Sequence, residues 1–281
     1  MSHKRILQKT ISRPLEFSGT ALHTGERVNL RCLPAEADTG IVFRRVDLDS
    51  EPEMKAEPYS VVSTRRCTSI GIKENSRATV HTIEHFMAAL WGSDIDNIIV
   101  EIDNAETPVG DGSALIYIEL IKEAGVKELP KERIIQKIEE AIWVKKGDMY
   151  LVILPYEGFK VTYTLVYDHP VIGTQFFEYE NNNDFFLKEI APARTFGFER
   201  EIEALHRRGL ALGGSLDNAV LIADDKTVNS LRFENEFVRH KVLDIIGDMY
   251  LNGYIYGHII AVKSGHQLHV ELAKKIRDKI N

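Results

Sequence analysis

The segment FVRHKVLDIIGDMY, residues 237–250, is typical of a helix that carries polar groups on a largely apolar surface. His240, Asp244 and Asp248 follow one another at intervals of four residues, so they share one stripe of that helix. The apolar positions around them are Val238, Val242, Leu243, Ile245, Ile246 and Met249. Buried charged groups need partners or a metal ion. The pattern therefore predicts a polar site within a packed core.

The elements around this helix recur in both halves of the chain. The first half reads as strands at 27–33 and 40–46, a helix at 82–92, a strand at 96–102, a glycine-containing turn at 109–114 and a helix at 115–125. The second half reads as strands at 141–146, 150–156 and 160–167, the helix at 237–253, a strand at 258–266 and a helix at 268–279. This order predicts the α+β class and two similar domains that arose by internal duplication, although common elements can also recur by chance.

A charged stretch that contains Pro130, residues 126–136, is the best candidate for a domain boundary. We therefore expect a first α+β domain at 1–127 and a second at 133–281. The second half carries an extra segment at 194–222, in which an amphipathic helix and a Gly-Gly turn lie between two short apolar runs. This segment predicts a βαβ insertion.

Composition and charge exclude several classes of function. The chain has 281 residues, 44% hydrophobic and 27% charged, as in a globular protein. A net charge of −7 argues against a general nucleic-acid-binding protein, which is normally basic. Two cysteines without CxxC spacing favour a reducing compartment. The absence of an apolar run in residues 1–17, or of any 18-residue apolar stretch, predicts a cytoplasmic protein without a signal peptide or membrane span.

His240 and Asp244 are one helical turn apart, so both side chains can reach one ion. Zn²⁺ binds imidazole nitrogen and carboxylate oxygen, and catalytic zinc sites use three protein ligands. The third candidate ligand is His85 in the helix at 82–92, where Thr82 is expected to be the N-cap. Glu84 beside it has the position of a general base in metallohydrolases. The alternative is a simple side-chain pair between His240 and Asp244.

Two other interpretations of a metal site stay open at this point. The segment HTIEH, residues 81–85, matches the H-x-x-E-H pattern of inverzincin peptidases, in which both histidines bind zinc. That interpretation leaves the pairing of His240 with Asp244 unexplained. A purely structural metal that joins two domains is the second alternative, and it requires four protein ligands rather than three.

Further candidates lie outside the two helices. His266 follows a strand in a glycine-containing turn, and Asp248 is placed to hydrogen-bond it and keep it protonated. Lys241 could direct a cation at an oxyanion or a phosphate. Thr195 offers a hydroxyl at a strand end, and the Gly213–Gly214 turn lies among apolar residues that could line a groove. Each of these residues could equally be an ordinary surface or turn residue.

Six segments together resemble the UDP-3-O-acyl-N-acetylglucosamine deacetylases, which are zinc-dependent amidases of lipid A synthesis in Gram-negative bacteria. The segments are TIEHFMAAL (82–90), TPVGDGSA (107–114), ARTFGF (193–198), GLALGGSLDNAV (209–220), LRFENEFVRHKVLDIIGD (231–248) and KSGH (263–266). The resemblance implies two α+β domains whose helical layers pack between two outer sheets. It also implies one insertion in each domain, within 43–66 and at 194–222.

The resemblance also implies roles for individual residues. The metal ligands would be His85, His240 and Asp244. Glu84 would be the general base and His266 the general acid, with Asp248 orienting His266 and with Thr195 and Lys241 meeting the carbonyl oxygen. Residues expected to contact the substrate are Phe196, Phe198, Ile202, Gly214, Ser215, Ala219 and His23, of which Ile202, Gly214, Ser215 and Ala219 would line a passage for an acyl chain.

The function implied by this resemblance is hydrolysis of the N-acetyl amide of an acylated UDP-sugar. The expected cofactor is Zn²⁺, and Fe²⁺ can occupy the same ligand set. The protein is expected to be a monomer that binds this substrate. It is not expected to bind nucleic acid or to have a membrane-spanning segment.

Overall fold

The computed structural model describes residues 5–181 and 183–280, and its mixture of helices with several sheets confirms the predicted α+β class. Residues 1–4 and 281 lie outside the described residues, as do the corresponding ends of the two predicted domains and part of the N-terminal segment considered for a signal peptide. The first half contains strands β1 (Leu7–Ile11), β2 (Leu15–Thr20), β3 (Arg27–Pro34), β4 (Ile41–Arg45), β5 (Glu53–Lys55), β6 (Val61–Ser63), β7 (Ser69–Ile72), β8 (Asn75–Val80) and β9 (Ile98–Ile102), and helices α1 (Glu84–Gly92) and α2 (Leu115–Ala124).

The second half also has nine strands, and its described residues form four α-helices. Its strands are β10 (Val126–Glu132), β11 (Ile135–Lys137), β12 (Ile142–Lys146), β13 (Met149–Leu154), β14 (Phe159–Val166), β15 (Thr174–Glu180), β16 (Phe196–Phe198), β17 (Val220–Ile222) and β18 (Tyr254–Val262). Its helices are α3 (Asn183–Phe185), α4 (Glu199–His206), α5 (Glu236–Met249) and α6 (His266–Ile280).

The two main sheets have the same strand order and the same strand directions. The first has the order β2-β3-β9-β4-β5 and the second β12-β13-β18-β14-β15. In each, an antiparallel hairpin pairs with a central strand from late in the half, and that central strand runs parallel to the next strand. This shared topology is what a duplication would leave behind, and the duplication itself stays a prediction.

Helices α1 and α5 pack against each other between these sheets and form the centre of the core. All nine residues of α1 are buried, and so are most residues of α5. The helices come closest at Gly247, where an added Cβ would lie 2.0 Å from the carbonyl oxygen of Glu84 and 3.2 Å from the amide nitrogen of Ala88. Only glycine therefore allows this helix separation.

The substitution Gly247→Ala is expected to destabilise the fold by forcing α1 and α5 apart. Real Cβ atoms do not approach a backbone oxygen to 2.0 Å, and overpacking of a core costs about 1–3 kcal/mol or more. Thermal unfolding of the variant checks this result. Gly197→Ala is the matched control, because nothing lies within 4 Å of its added Cβ and its φ, like that of Gly247, lies outside the left-handed region. An unfolding temperature for Gly247→Ala equal to that of the wild type would contradict this account of the helix contact.

The predicted boundary segment forms strands that tie the two halves together. Strand β10 pairs antiparallel with β1 at the start of the chain, and β11 runs parallel to β18. Arg133 between them is almost fully buried; it donates to the carboxylates of Asp94 and Asp96 and stacks 3.8 Å over the ring of Tyr254. The division into domains at 1–127 and 133–281 remains a proposal.

Two further small sheets occur in addition to the β1-β10 pair. The segment at 194–222 forms strand β16, helix α4 and strand β17, with the two strands parallel, as expected for a βαβ unit. In the first half an additional three-stranded sheet, β6-β7-β8, spans residues 61–80. This sheet begins within the range expected for the first insertion, 43–66, and extends beyond it, and the position of that insertion stays a prediction.

Thr82 does not cap helix α1, so this prediction was wrong. The N-cap is Ile83, and Thr82 has a left-handed backbone with φ 59°. Its hydroxyl instead donates to the buried carboxylate of Glu106 at 2.8 Å. The Glu106 carboxylate also accepts from the backbone amides of His23 and Thr24, so it holds three chain segments next to the site.

Candidate active site

Three candidate metal ligands meet where α1 faces α5. The Nε2 atoms of His85 and His240 lie 3.7 Å and 3.4 Å from Oδ1 of Asp244. All three side chains are buried, and their ligand atoms lie within 4.8 Å of one another. The sequence thus identified residues from two distant helices that the fold brings together.

Hydrogen bonds orient this cluster. His240 donates from Nδ1 to the carbonyl oxygen of Ala193 at 3.1 Å, which leaves the Nε2 lone pair facing Asp244. Burial lowers the pKa of His240 and, together with the neighbouring His240 imidazole, lowers the pKa of His85 to about 3. Both imidazoles are therefore neutral at pH 7, which is the form that binds metals.

The two oxygens of Asp244 have different surroundings. Oδ2 accepts a hydrogen bond from Nζ of Lys241 at 2.7 Å. Oδ1 is buried, and it accepts no hydrogen bond from any residue in 5–181 or 183–280. Burial alone would raise the pKa of Asp244, but His240 and Lys241 outweigh it and hold this pKa well below its ordinary value. The site therefore contains an ionised carboxylate with one oxygen free to bind a cation.

These distances provide a test of whether a metal ion fits. Two ligands at about 2.0–2.1 Å from one tetrahedral Zn²⁺ lie about 3.3 Å apart. The observed separations of 3.4 Å and 3.7 Å are close to that value. A buried, unpartnered carboxylate oxygen costs free energy unless a cation or donor satisfies it. The donor set therefore fits a divalent metal ion.

Glu84 and His266 face each other beside this cluster. Nε2 of His266 lies 3.7 Å from Oε1 of Glu84 and 4.0 Å from Oδ2 of Asp244. Burial, with a further contribution from the nearby carboxylates Asp248 and Asp244, raises the pKa of Glu84 to about 8. His266 is the first residue of helix α6, not a turn residue.

Asp248 lies behind His266 and accepts three hydrogen bonds. Its Oδ2 accepts from Nδ1 of His266 and from Nδ1 of His269, each at 2.8 Å, and its Oδ1 accepts from the hydroxyl of Thr68 at 2.5 Å. Burial opposes the charge on His266, but Asp248 and then Glu84 outweigh it and raise the pKa of His266 to about 9. His266 is therefore a cation at pH 7 with its free Nε2–H directed at Glu84.

The remaining predicted residues line two adjoining cavities. A cavity of about 190 Å³ contains the metal-ligand cluster, Glu84 and His266, and Thr195, Phe196, Phe198 and Lys241 also line it. A more apolar groove of about 300 Å³ is lined by Ile202, Leu205, Gly214, Ser215, Ala219 and Leu221. His23, Thr195 and Phe196 line both cavities. The groove thus adjoins the cavity that contains the cluster and is lined largely by the segment at 194–222.

His81 lies apart from the cluster. Its Nδ1 is 2.8 Å from the hydroxyl of Ser69, and the metal-binding groups found among the described residues do not include it. The H-x-x-E-H interpretation needs His81 and His85 on one ion, and this placement separates them.

Sequence reasoning missed Thr68 and His269. His269 had a local signal, because it lies three residues after His266 and shares its face of a helix. Thr68 had none, since its partner Asp248 is 180 residues away.

Comparison with known proteins agrees with this geometry. A family model described as UDP-3-O-acyl N-acetylglycosamine deacetylase matches residues 8–278. A UDP-3-O-acyl-N-acetylglucosamine deacetylase of Citrifermentans bemidjiense is 44% identical over 274 residues, which cover 96% of this chain and 89% of the relative. Proteins of the same name from Acidithiobacillus ferrooxidans and Pseudoalteromonas translucida are 43% and 41% identical, over 96% of this chain and 90% of each relative.

The chain is accordingly an enzyme, an amide-hydrolysing deacetylase, as the sequence predicted. It belongs to the UDP-3-O-acyl N-acetylglycosamine deacetylase family. Among residues 5–181 and 183–280, no helix has both the length and the apolar character needed to cross a bilayer.

Proposed function

We propose that the protein removes the acetyl group from the amide of a UDP-3-O-acyl-N-acetylglucosamine, releasing acetate in the pathway to lipid A. The observation that carries this proposal is the unpartnered buried Oδ1 of Asp244, which faces two neutral imidazoles beside the pair Glu84 and His266. The names of its relatives supply the substrate.

His85, His240 and Asp244 would hold one divalent cation, which we propose is Zn²⁺, with Fe²⁺ as the alternative. When bound, such a cation supplies Lewis-acid polarisation of the amide carbonyl and acidifies a water molecule. Lys241 supports the ligand set because its ammonium occupies Oδ2 of Asp244 and leaves Oδ1 for the cation.

Glu84 is proposed to be the general base that accepts a proton from the attacking water. Its Oε2 is held by the backbone amide of Thr68 at 3.0 Å, so Oε1 faces the cavity. In the cavity as described, burial keeps the pKa of Glu84 near 8. A cation in the neighbouring cluster favours the ionised form, which is the form that takes a proton.

His266 is proposed to be the general acid. An amide nitrogen leaves only as a protonated amine, so a proton donor must face it. The cationic imidazole directs Nε2–H into the cavity while Asp248 holds Nδ1. Thr195 lines the cavity, and its backbone is fixed on both sides by Gly112 and Val220. Its hydroxyl is proposed to stabilise charge on the carbonyl oxygen.

The apolar groove is proposed to bind the 3-O-acyl chain, with His23, Phe196 and Phe198 nearer the sugar. The substitution Ala219→Phe is expected to obstruct it and to lower kcat/KM for long-chain substrates by about 100-fold. Loss of contact with four methylenes corresponds to about 3 kcal/mol. Steady-state kinetics with long-chain and short-chain acyl substrates measures this effect.

Short-chain substrates provide the internal control for Ala219→Phe, since they do not reach the obstruction and should be hydrolysed as by the wild type. Equal losses on both chain lengths would mean that the groove is not the acyl site.

The direct test of the proposed function is an assay of acetate release from the acylated UDP-sugar, combined with metal analysis of the purified protein. Stoichiometric metal with no acetate release would favour a purely structural metal instead. A monomer is also proposed, because one chain supplies the three proposed ligands His85, His240 and Asp244. The two buried free cysteines, Cys32 and Cys67, support a reducing cytoplasm.

A further inference from the structure

Thr68 lies directly before strand β7, at the base of the three-stranded sheet β6-β7-β8, and is fully buried. Its carbonyl oxygen accepts a hydrogen bond from the amide of Ile83, the N-cap residue of α1, at 3.2 Å. The residue is therefore fixed against the start of the helix that carries Glu84 and His85.

Two further hydrogen bonds connect Thr68 to both members of the proposed acid–base pair. Its backbone amide donates to Oε2 of Glu84 at 3.0 Å. Its hydroxyl donates to Oδ1 of Asp248 at 2.5 Å, and the same hydroxyl oxygen lies 3.3 Å from Nδ1 of His266. Thr68 thus contacts the proposed base Glu84 directly. It acts on the proposed acid His266 through Asp248.

The hydroxyl of Thr68 determines how the Asp248 carboxylate is turned. Oδ2 already accepts from His266 and from His269. Within the described part of the chain, Oδ1 has only the Thr68 hydroxyl as a donor. Without it, a fully buried carboxylate oxygen has no partner, which is unfavourable unless the group rotates. Rotation would move Oδ2 away from Nδ1 of His266.

We propose that Thr68 is a positioning residue, whose hydroxyl fixes Asp248 and through it the direction of the His266 Nε2–H, while its amide fixes Glu84. This proposal rests on the proposed roles of His266 and Glu84. The hydroxyl contacts Asp248, whereas the amide contacts Glu84. Replacement of the side chain therefore tests only the effect on Asp248 and His266.

The first experiment compares Thr68→Val with Thr68→Ser in the metal-loaded enzyme. Valine keeps the volume of the side chain and removes the hydroxyl, and we expect it to lower kcat about 10-fold or more, as is typical when the hydrogen-bonding support of a functional histidine is lost. KM and metal content should be unchanged. Serine keeps the hydroxyl and should restore most of the lost kcat.

A matched control separates this effect from general loss of a buried hydroxyl. Thr10 is also fully buried, and its hydroxyl accepts one hydrogen bond, from the amide of Ala35 at 3.0 Å, in strand β1 away from the site. Thr10→Val should alter thermal stability but not kcat. If Thr68→Val does not fold, Thr68→Ala, which adds no methyl group, takes its place in the comparison.

A double-mutant cycle with His266→Ala decides whether Thr68 acts through His266. If it does, Thr68→Val should cause no further loss of kcat in the His266→Ala background. The inference is wrong if Thr68→Val has wild-type kcat, if it loses metal, or if its loss is the same in both backgrounds. A wild-type rate for His266→Ala itself would instead overturn the proposed role of His266 as the acid, so the two failures are measured on different variants.

Discussion

The substitution His240→Ala is expected to remove the bound metal and to lower deacetylase activity about 1,000-fold or more. The imidazole is one of three proposed ligands, and its Nε2 lies 3.4 Å from the free oxygen of Asp244. Lewis-acid stabilisation of a transition state contributes several kcal/mol, and each 1.36 kcal/mol is a factor of ten in rate. Metal analysis of the purified variant and an acetate-release assay measure both effects.

The control for His240→Ala is His258→Ala. His258 lies on β18 outside the cluster, with Nε2 2.8 Å from the hydroxyl of Thr162, and its loss should change neither metal content nor rate. Full metal occupancy in His240→Ala would remove His240 from the ligand set, and the metal would then have to bind elsewhere.

The substitution His266→Ala is expected to leave the metal in place and to lower kcat about 100- to 10,000-fold, which is the contribution typical of a positioned proton donor. The ligand cluster is intact in this variant because His266 is not one of its three members. Stopped assays of acetate release under saturating substrate give kcat. Metal analysis of the same sample shows whether the loss of kcat occurs without loss of metal.

The pH profile adds a second measurement on His266. Asp248 and Glu84 raise the pKa of its imidazole to about 9 against the opposing effect of burial, so the active cation is lost as pH rises through that value. A bound divalent cation nearby lowers the pKa, so the falling limb of kcat is expected at or below about pH 9. The pH profile of kcat for His266→Ala should lack this decrease at high pH. A variant with near wild-type kcat and an unchanged limb would assign the acid role to another group, with Glu84 serving both steps.

The helix α5 could be predicted in detail because its information is local. Its apolar positions and the four-residue spacing of His240, Asp244 and Asp248 are present in one short segment. Its end was less clear: the predicted helix ran to 253, whereas α5 ends at Met249 and a 3₁₀ turn follows to Asn252. The last turn of a helix often tightens in this way to satisfy its free carbonyl groups.

Other features depend on contacts that no local pattern contains. Thr82 has the residue type of an N-cap, yet a buried carboxylate from Glu106 competes for its hydroxyl and places it in a left-handed conformation. Strand β15 alternates exposed and buried residues at 174–180 but was not predicted. The role of Thr68 depends on Asp248, 180 residues away. The ligand residues were candidates from helical spacing and residue type, and the family resemblance then implied their roles.

The contact of Gly247 with the carbonyl of Glu84 affects how substitutions that lower the activity of this protein should be interpreted. Glu84 and Asp244, two of the proposed site residues, lie on the same two helix turns whose spacing Gly247 sets. A small increase in the distance between α1 and α5 would misalign these side chains before the chain lost its native fold. Some variants with low turnover would therefore be defective in the packing of α1 against α5 and not in a catalytic group. A second substitution that restores this packing would recover the activity of such variants only.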